Sequence, residues 1–523
     1  MRRLLAVTLL VVAAPLLQQP TAAAATADCA EVFYPSLTWA GCSARNAAVS
    51  TQNAAAHLDL APGIAAETLA YQRARAAAIA ADPERQPNPN TCTAAVVCAV
   101  DPRTSGWTER GGIVEPVLYT SRSGATMSGH IWATWEGPAK RPGALYINGS
   151  ILGYEQTYWY LAQTLAKAGF VVMTFDAQGE GNSDQFGEAP DQLEDAFAGT
   201  PFLGPLGPTG TTGDFLGGNG LPFYDGGQDA LDFFLSTPER PFVPRKSRST
   251  GTSHAAKQAR RVEAGHNAAY NPLWRLLDRS RVGLSGHSYG AEATSWLTQS
   301  DPRVDAGVAH DNLCVPVSPS PDELEAITRP NPDVNYLPGM WGLPTDCFGA
   351  PNGPAPAITK PVLGITTDYF TGITPYPLPP HPLGKARASQ KYSAAGVDTG
   401  AIVIRGGTHI DFTDTPLIVP ATLRGIDLIA WYTTAWMLKY VAHDPAGERM
   451  LLSHRWRQDP AAGAVDPAGD ANMLSWHYRS RLDITRDNGT AYRCENLRRA
   501  CAGMVPKSQD GWAGEYSFVG ASS

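Results

Sequence analysis

The chain has 523 residues, of which 17% are charged and 43% hydrophobic, with a net charge of −8 and a pI near 5.8. That length holds one large domain with additions, or two domains. The acidic balance excludes the basic footprint of a nucleic-acid or anionic-membrane binder. The 51 glycines and 43 prolines argue for long ordered loops rather than a helical bundle.

In chain order, residues 1–27 read as an export signal. Arg2-Arg3 forms a positive start, Leu4 to Leu17 an apolar run, and Ala25-Thr26-Ala27 a small-x-small site that places cleavage before Asp28. The apolar run is too short for a membrane anchor, and Asp28 stands where a lipoprotein needs a small residue before Cys29. The mature chain is expected to be extracellular, with no stable membrane anchor. Eight cysteines in an exported chain predict disulfides. Nearest-neighbour pairing gives Cys29–Cys42, Cys92–Cys98, Cys314–Cys347 and Cys494–Cys501. No C-x-x-C pair or His pair gives them zinc-ligand spacing.

Residues 28–110 read as an N-terminal extension, helical over Leu58 to Ala81 and broken over Pro83 to Asn90. From Gly111 the pattern turns to strands. Ile113 to Thr120 and Met127 to Trp135 flank the turn Ser121-Arg122-Ser123-Gly124 and predict an antiparallel hairpin. Apolar strands over Ala144 to Ile147 and Phe170 to Phe175 bracket helical spacing over Tyr158 to Ala168. Asp225 to Leu235 reads as a helix, Arg281 to Leu284 and Val304 to Ala309 as strands. Pro361 to Thr367 and Ala401 to Arg405 complete the strands, and Leu423 to Val441 is an apolar-faced helix. Strands alternating with helices over 111–444 predict an α/β fold with a mostly parallel sheet and helices on both faces. Inserts at about 185–221, 241–268 and 314–360 lack periodicity, and 445–523 reads as a C-terminal extension with no clear unit.

Chemistry gathers at strand ends. Gly286-His287-Ser288-Tyr289-Gly290 follows a strand and opens a helix, a turn that lifts a serine hydroxyl clear of the sheet. Asp368 and His409, the latter after Gly406-Gly407-Thr408, also follow strands. Ligands bind at that edge of open α/β sheets. A serine hydroxyl needs a base to take its proton, and the histidine needs a carboxylate to fix its tautomer.

Residues 111–444 resemble the α/β-hydrolase fold. The resemblance rests on the Gly286–Gly290 elbow, the acid strand Pro361 to Asp368 and the loop Gly406 to His409, in the Ser, acid, His order of that superfamily. Asn148-Gly149-Ser150 stands where the family usually has His-Gly-x, and Asp176 to Asp184 resembles its D-x-R-G-x-G-x-S stretch, with Asn148 and Gln178 departing from the usual His and Arg. The resemblance implies a serine hydrolase acting on a small-molecule or polymeric ester: Ser288 as nucleophile, His409 as general base and acid, Asp368 as orienting acid. Backbone N–H groups of Tyr289 and Ser150 would form the oxyanion hole.

Asp311, after the preceding strand, is the alternative acid. Asp411 lies too close to His409 in the chain to serve, and His287 reads as packing. Asp176 and Asp184 read as caps of a tight loop. Tyr154, Tyr158, Trp159 and Tyr160 suit either a pocket wall or a helix packed on the sheet. The glycines fit no dinucleotide or phosphate loop, so no cofactor and no metal are expected. A peptidase or acyltransferase on the same residues is the second reading, and Glu155, Glu180 or Glu188 binding a substrate amine would favour the peptidase. A non-catalytic binding protein is the third, opposed by an intact Ser, Asp and His set.

Overall fold

The computed structural model describes residues 29, 32–52, 61–85, 100–150, 154–184, 187, 220–248, 250–311, 313–318, 345–351, 353–370, 373–413, 423–453 and 472–505. The export signal, the Cys92–Cys98 pair, Glu188 and most of the inserts 185–221 and 314–360 lie outside them.

Among the described residues ten strands form one sheet: β1 Gly112–Thr120, β2 Thr126–Thr134, β3 Arg141–Ile147, β4 Val171–Phe175, β5 Leu277–His287, β6 Ala306–His310, β7 Val362–Thr367, β8 Thr399–Ile404, β9 Arg481–Thr485 and β10 Ala491–Cys494. Their order is β1-β2-β4-β3-β5-β6-β7-β8-β9-β10. The middle, from β4 to β8, is parallel. The predicted hairpin is present, with Thr120 opposite Thr126.

Side chains alternate between faces because the strand period is two. Ala144 and Tyr146 enter one apolar core with Leu161, Trp431 and Trp436. Leu145 and Ile147 enter the other with Phe223, Leu231 and Leu297. The helices Trp159–Lys167 and Leu423–Met437 therefore cover one face, and Leu221–Phe234 and Tyr289–Ser300 the other. Each fully buried aliphatic or Phe side chain in these layers stabilises the fold by roughly 1.5–3 kcal/mol relative to exposure.

Three segments depart from the sequence reading. The C-terminal stretch supplies β9 and β10, antiparallel to β8 and to each other. Both strands are short and carry charges (Arg481, Asp483, Arg493), which hides the alternation. The insert 241–268 contains the helix Ala255–Glu263, whose buried residues include Lys257, Gln258 and Arg261. Burial of paired polar groups leaves no apolar stripe to read: Arg261 meets Asp82, and Lys257 Nζ donates to the Gly124 carbonyl at 2.7 Å. The helix Leu37–Gln52, in the N-terminal extension, packs Trp39 and Ala47 against Tyr369, Tyr376 and Tyr478.

Three of the expected disulfides are formed: Cys29–Cys42, Cys314–Cys347 and Cys494–Cys501. Among the described residues no helix is long and apolar enough to cross a membrane.

Candidate active site

β5 ends at His287 and the next helix begins at Tyr289, so Ser288 makes the whole turn alone. Its backbone has φ 57° and ψ −122°. A side-chain-bearing residue there is strained, and the strain persists only because the surroundings impose it. The glycines on either side permit it. A Cβ on Gly290 would lie 2.1 Å from the Ile147 carbonyl oxygen, and one on Gly286 would lie 2.3 Å from the Gly290 carbonyl oxygen. The elbow is thus pressed against the end of β3, where Asn148-Gly149-Ser150 emerges.

The neighbouring strand brings a carboxylate to the same edge of the sheet. β5 and β6 pair in register, with His287 opposite His310. The next residues, Ser288 and Asp311, therefore leave adjacent strands at the same level. Asp311 also has positive φ, 38°, and these two are among only four such non-glycine residues in the described chain. Ser288 N–H donates to the His310 carbonyl at 3.0 Å, and Asp311 N–H to the Ile365 carbonyl at 2.8 Å.

His409 closes the set from the loop after β8. Its Nε2 lies 3.0 Å from Ser288 Oγ and its Nδ1 lies 2.8 Å from Asp311 Oδ2. His409 N–H is anchored on the Phe370 carbonyl, and the Thr408–Asp411 capping box shapes the turn that carries it. Asp411 spends its carboxylate on that box, accepting from Thr408 N–H at 2.5 Å.

Asp368 is not the residue beside His409. Its carboxylate is fully buried and turned to structural partners. Oδ2 accepts from Asn46 Nδ2 and from Gly406 N–H, both at 2.8 Å, and Oδ1 accepts from the Ser475 hydroxyl. Asp368 therefore ties the His409 loop to the N-terminal helix and the C-terminal segment, while Asp311 is the carboxylate within hydrogen-bond distance of His409 Nδ1.

Electrostatics fit this exchange. Burial works to raise the Asp311 carboxyl, but the His409 bond and charge, with Lys385 and the Thr366 hydroxyl, bring it down to about 2. These partners hold Asp311 as a carboxylate at neutral pH.

His287 does more than fill space. Gly149 N–H donates to Tyr158 Oη at 3.1 Å, Tyr158 Oη donates to His287 Nδ1 at 2.8 Å, and His287 Nε2 donates to the His409 carbonyl at 2.8 Å. Burial and the neighbouring His409 hold His287 well below its ordinary value. The neutral ring can then accept on one side and donate on the other. This chain links the Asn148–Ser150 loop to the backbone of His409. The sequence offers only the His in Gly-His-Ser as a signal for it.

Of the two expected backbone donors, Tyr289 follows Ser288 in the chain and Ser150 follows Gly149. Tyr289 opens the helix directly after Ser288. Gly149, preceding Ser150, passes so close that its Cβ would lie 3.1 Å from Ser288 Cβ. Asn148 fixes this loop by accepting from Ala177 N–H at 3.0 Å. Asp176 and Asp184 cap the next loop, as read from sequence: Asp176 accepts from the N–H groups of Glu155 and Asn182, and Asp184 from that of Thr126. Of the aromatic group, Tyr154, Tyr158 and Tyr160 are buried in the packing of the sheet face.

A hydroxyl, an imidazole and a carboxylate joined in this order can pass a proton from oxygen to nitrogen as the oxygen attacks an electrophile. Compared with known proteins, the chain matches no protein-family model and no curated sequence.

Proposed function

We propose that the chain is an exported serine hydrolase of the α/β-hydrolase fold that cleaves carboxylic esters through an acyl-enzyme. The observation that carries the reading is the hydrogen-bonded line Asp311–His409–Ser288 ending on a strained elbow. In this mechanism Ser288 Oγ attacks the ester carbonyl while His409 Nε2 takes its proton. Asp311 stays ionised, holds the Nδ1–H tautomer and stabilises the imidazolium. The oxyanion of the tetrahedral intermediate meets the N–H groups of Tyr289 and Ser150. His409 then protonates the departing alkoxide, leaving an acyl group on Ser288. Water attacks that acyl group, giving its proton to His409, and the carboxylic acid leaves as Ser288 recovers its proton.

Export is supported by the signal-like start and the three disulfides. Of the three carboxylates that would favour the peptidase reading, Glu155 is taken by other partners. That carboxylate has no exposure and is held by His130 and Thr174, so it does not bind a substrate amine. The test compares p-nitrophenyl acetate, butyrate and octanoate with aminoacyl p-nitroanilides. Ester turnover that vanishes in Ser288→Ala supports the proposal. Anilide cleavage exceeding ester cleavage would transfer the site to a peptidase, and no turnover of either would refute the hydrolase reading.

A further inference from the structure

A cavity of about 630 Å³ lies between the helix Ala61–Ala80 and the β1–β2 hairpin. Its described lining includes none of the residues at the Ser288 site. Its size falls within the range of roughly 300–1,000 Å³ typical of small-molecule sites. Its lining is lopsided in charge. Arg75, Arg85, His130 and His266 face it, and no Asp or Glu belongs to the described lining. Ile79, Val117, Leu118 and Trp159 give it an apolar wall.

The cationic groups are held in place. Arg75 Nη2 donates to the Gly181 carbonyl at 3.2 Å. Arg85 bonds Asp184 at 2.9 Å and the Asn182 carbonyl. Burial lowers Arg75 from its ordinary value, against the opposing pull of Asp176 behind it. His130 is fixed from behind: its Nδ1 lies 2.6 Å from Glu155 Oε1, and Thr174 Oγ1 donates to Glu155 Oε2 at 2.8 Å. Burial opposes a charge on this ring, but Glu155 outweighs it and raises His130 above its ordinary value. With Nδ1 spent on Glu155, Nε2 on the opposite side of the ring is the nitrogen left for the cavity, and 21% of the side chain remains exposed. Trp159 packs edge-on against the same ring at 5.2 Å.

A cation would find no carboxylate in the described lining. A neutral hydrocarbon would cover the outer nitrogen of the His130 ring without partnering it, which costs free energy. An anion with an apolar body satisfies both halves of the lining, since charge-assisted bonds to Arg and His⁺ are the strong ones. We propose that this cavity binds a small amphipathic carboxylate, its head on His130 beside Arg75 and Arg85 and its apolar body against Trp159 and Leu118. The proposal does not depend on the reading of Ser288.

The test is calorimetric titration of the full chain with octanoate and with octan-1-ol, which match in length and differ in the head. Octanoate is expected to bind at least tenfold more tightly than the alcohol. His130→Asn keeps a donor for Glu155 but removes the nitrogen facing the cavity. It should weaken octanoate about tenfold and leave the alcohol unchanged. Ala74→Trp, placed on the exposed helix face that lines the cavity, should abolish octanoate binding without lowering the melting temperature. Equal binding of the two probes, or no octanoate binding, overturns the proposal. So does octanoate binding that survives Ala74→Trp, because the ligand would then sit elsewhere.

Discussion

Replacing Asp311 by Asn separates the acid that orients His409 from the acid that only holds the loop. Asp311 Oδ2 lies 2.8 Å from His409 Nδ1, which puts the two charge centres about 4 Å apart when the imidazolium forms. At an effective dielectric constant of about 20, a pair at that distance is worth about 4 kcal/mol, or about a thousandfold in rate. Asn can also present its amide N–H to Nδ1 and select the wrong tautomer, which brings the expected loss of kcat to about 10³–10⁴. Asp368→Asn changes no group that touches His409. It weakens bonds to Gly406, Asn46 and Ser475. A destabilisation of about 1–3 kcal/mol is expected, with kcat within about tenfold of wild type. The assay is steady-state hydrolysis of p-nitrophenyl butyrate alongside calorimetric melting of each variant. If Asp368→Asn lost more kcat than Asp311→Asn while melting normally, the assignment of Asp311 would be wrong.

Three further outcomes are expected. Tyr158→Phe removes the link between Gly149 N–H and His287 and should lower kcat about 10–100-fold with KM nearly unchanged; a change in KM alone would contradict a positioning role. Gly290→Ala sets a Cβ 2.1 Å from the Ile147 carbonyl oxygen and should prevent the elbow from forming, so a variant that folds and turns over normally would refute the account of the glycines. The third concerns pH. Burial depresses His310 to about 3, so the unfolded chain binds this proton first. The stability it contributes is present above its unfolded value near 6.5 and is lost as pH falls toward about 3, at about 1.4 kcal/mol per pH unit. Asp311, depressed to about 2, adds a loss confined to pH below about 4. Denaturant melts from pH 7 to 4 should show the decline, to which His287, also held neutral by burial, adds, and a flat profile would contradict neutral burial of the two rings.

Ser288 and His409 were legible because their signals are local. A strand, a glycine on each side of the serine, and a helix start lie within fifteen residues, and Gly-Gly-Thr leads straight into the histidine. The choice between Asp311 and Asp368 was not local. Both end apolar strands, and what separates them is the order of strands and the partners of each carboxylate. β6 adjoins β5, which brings Asp311 level with Ser288. Asp368 is claimed by Asn46 and Ser475, far away in both directions along the chain. Those segments showed no strand or motif that would have revealed the claim. The Tyr158–His287 link was missed for a similar reason. It joins residues 129 apart in the chain, and a buried histidine between aromatic rings reads in sequence as packing.

The central claim is that Ser288 is a nucleophile activated by His409. Its most direct test is reaction of the purified chain with a fluorophosphonate at neutral pH, followed by mass spectrometry of the peptide that carries the adduct. The account predicts one adduct, on Ser288, formed much more slowly in His409→Ala. An adduct on another serine, or none on the folded wild-type chain, would contradict it.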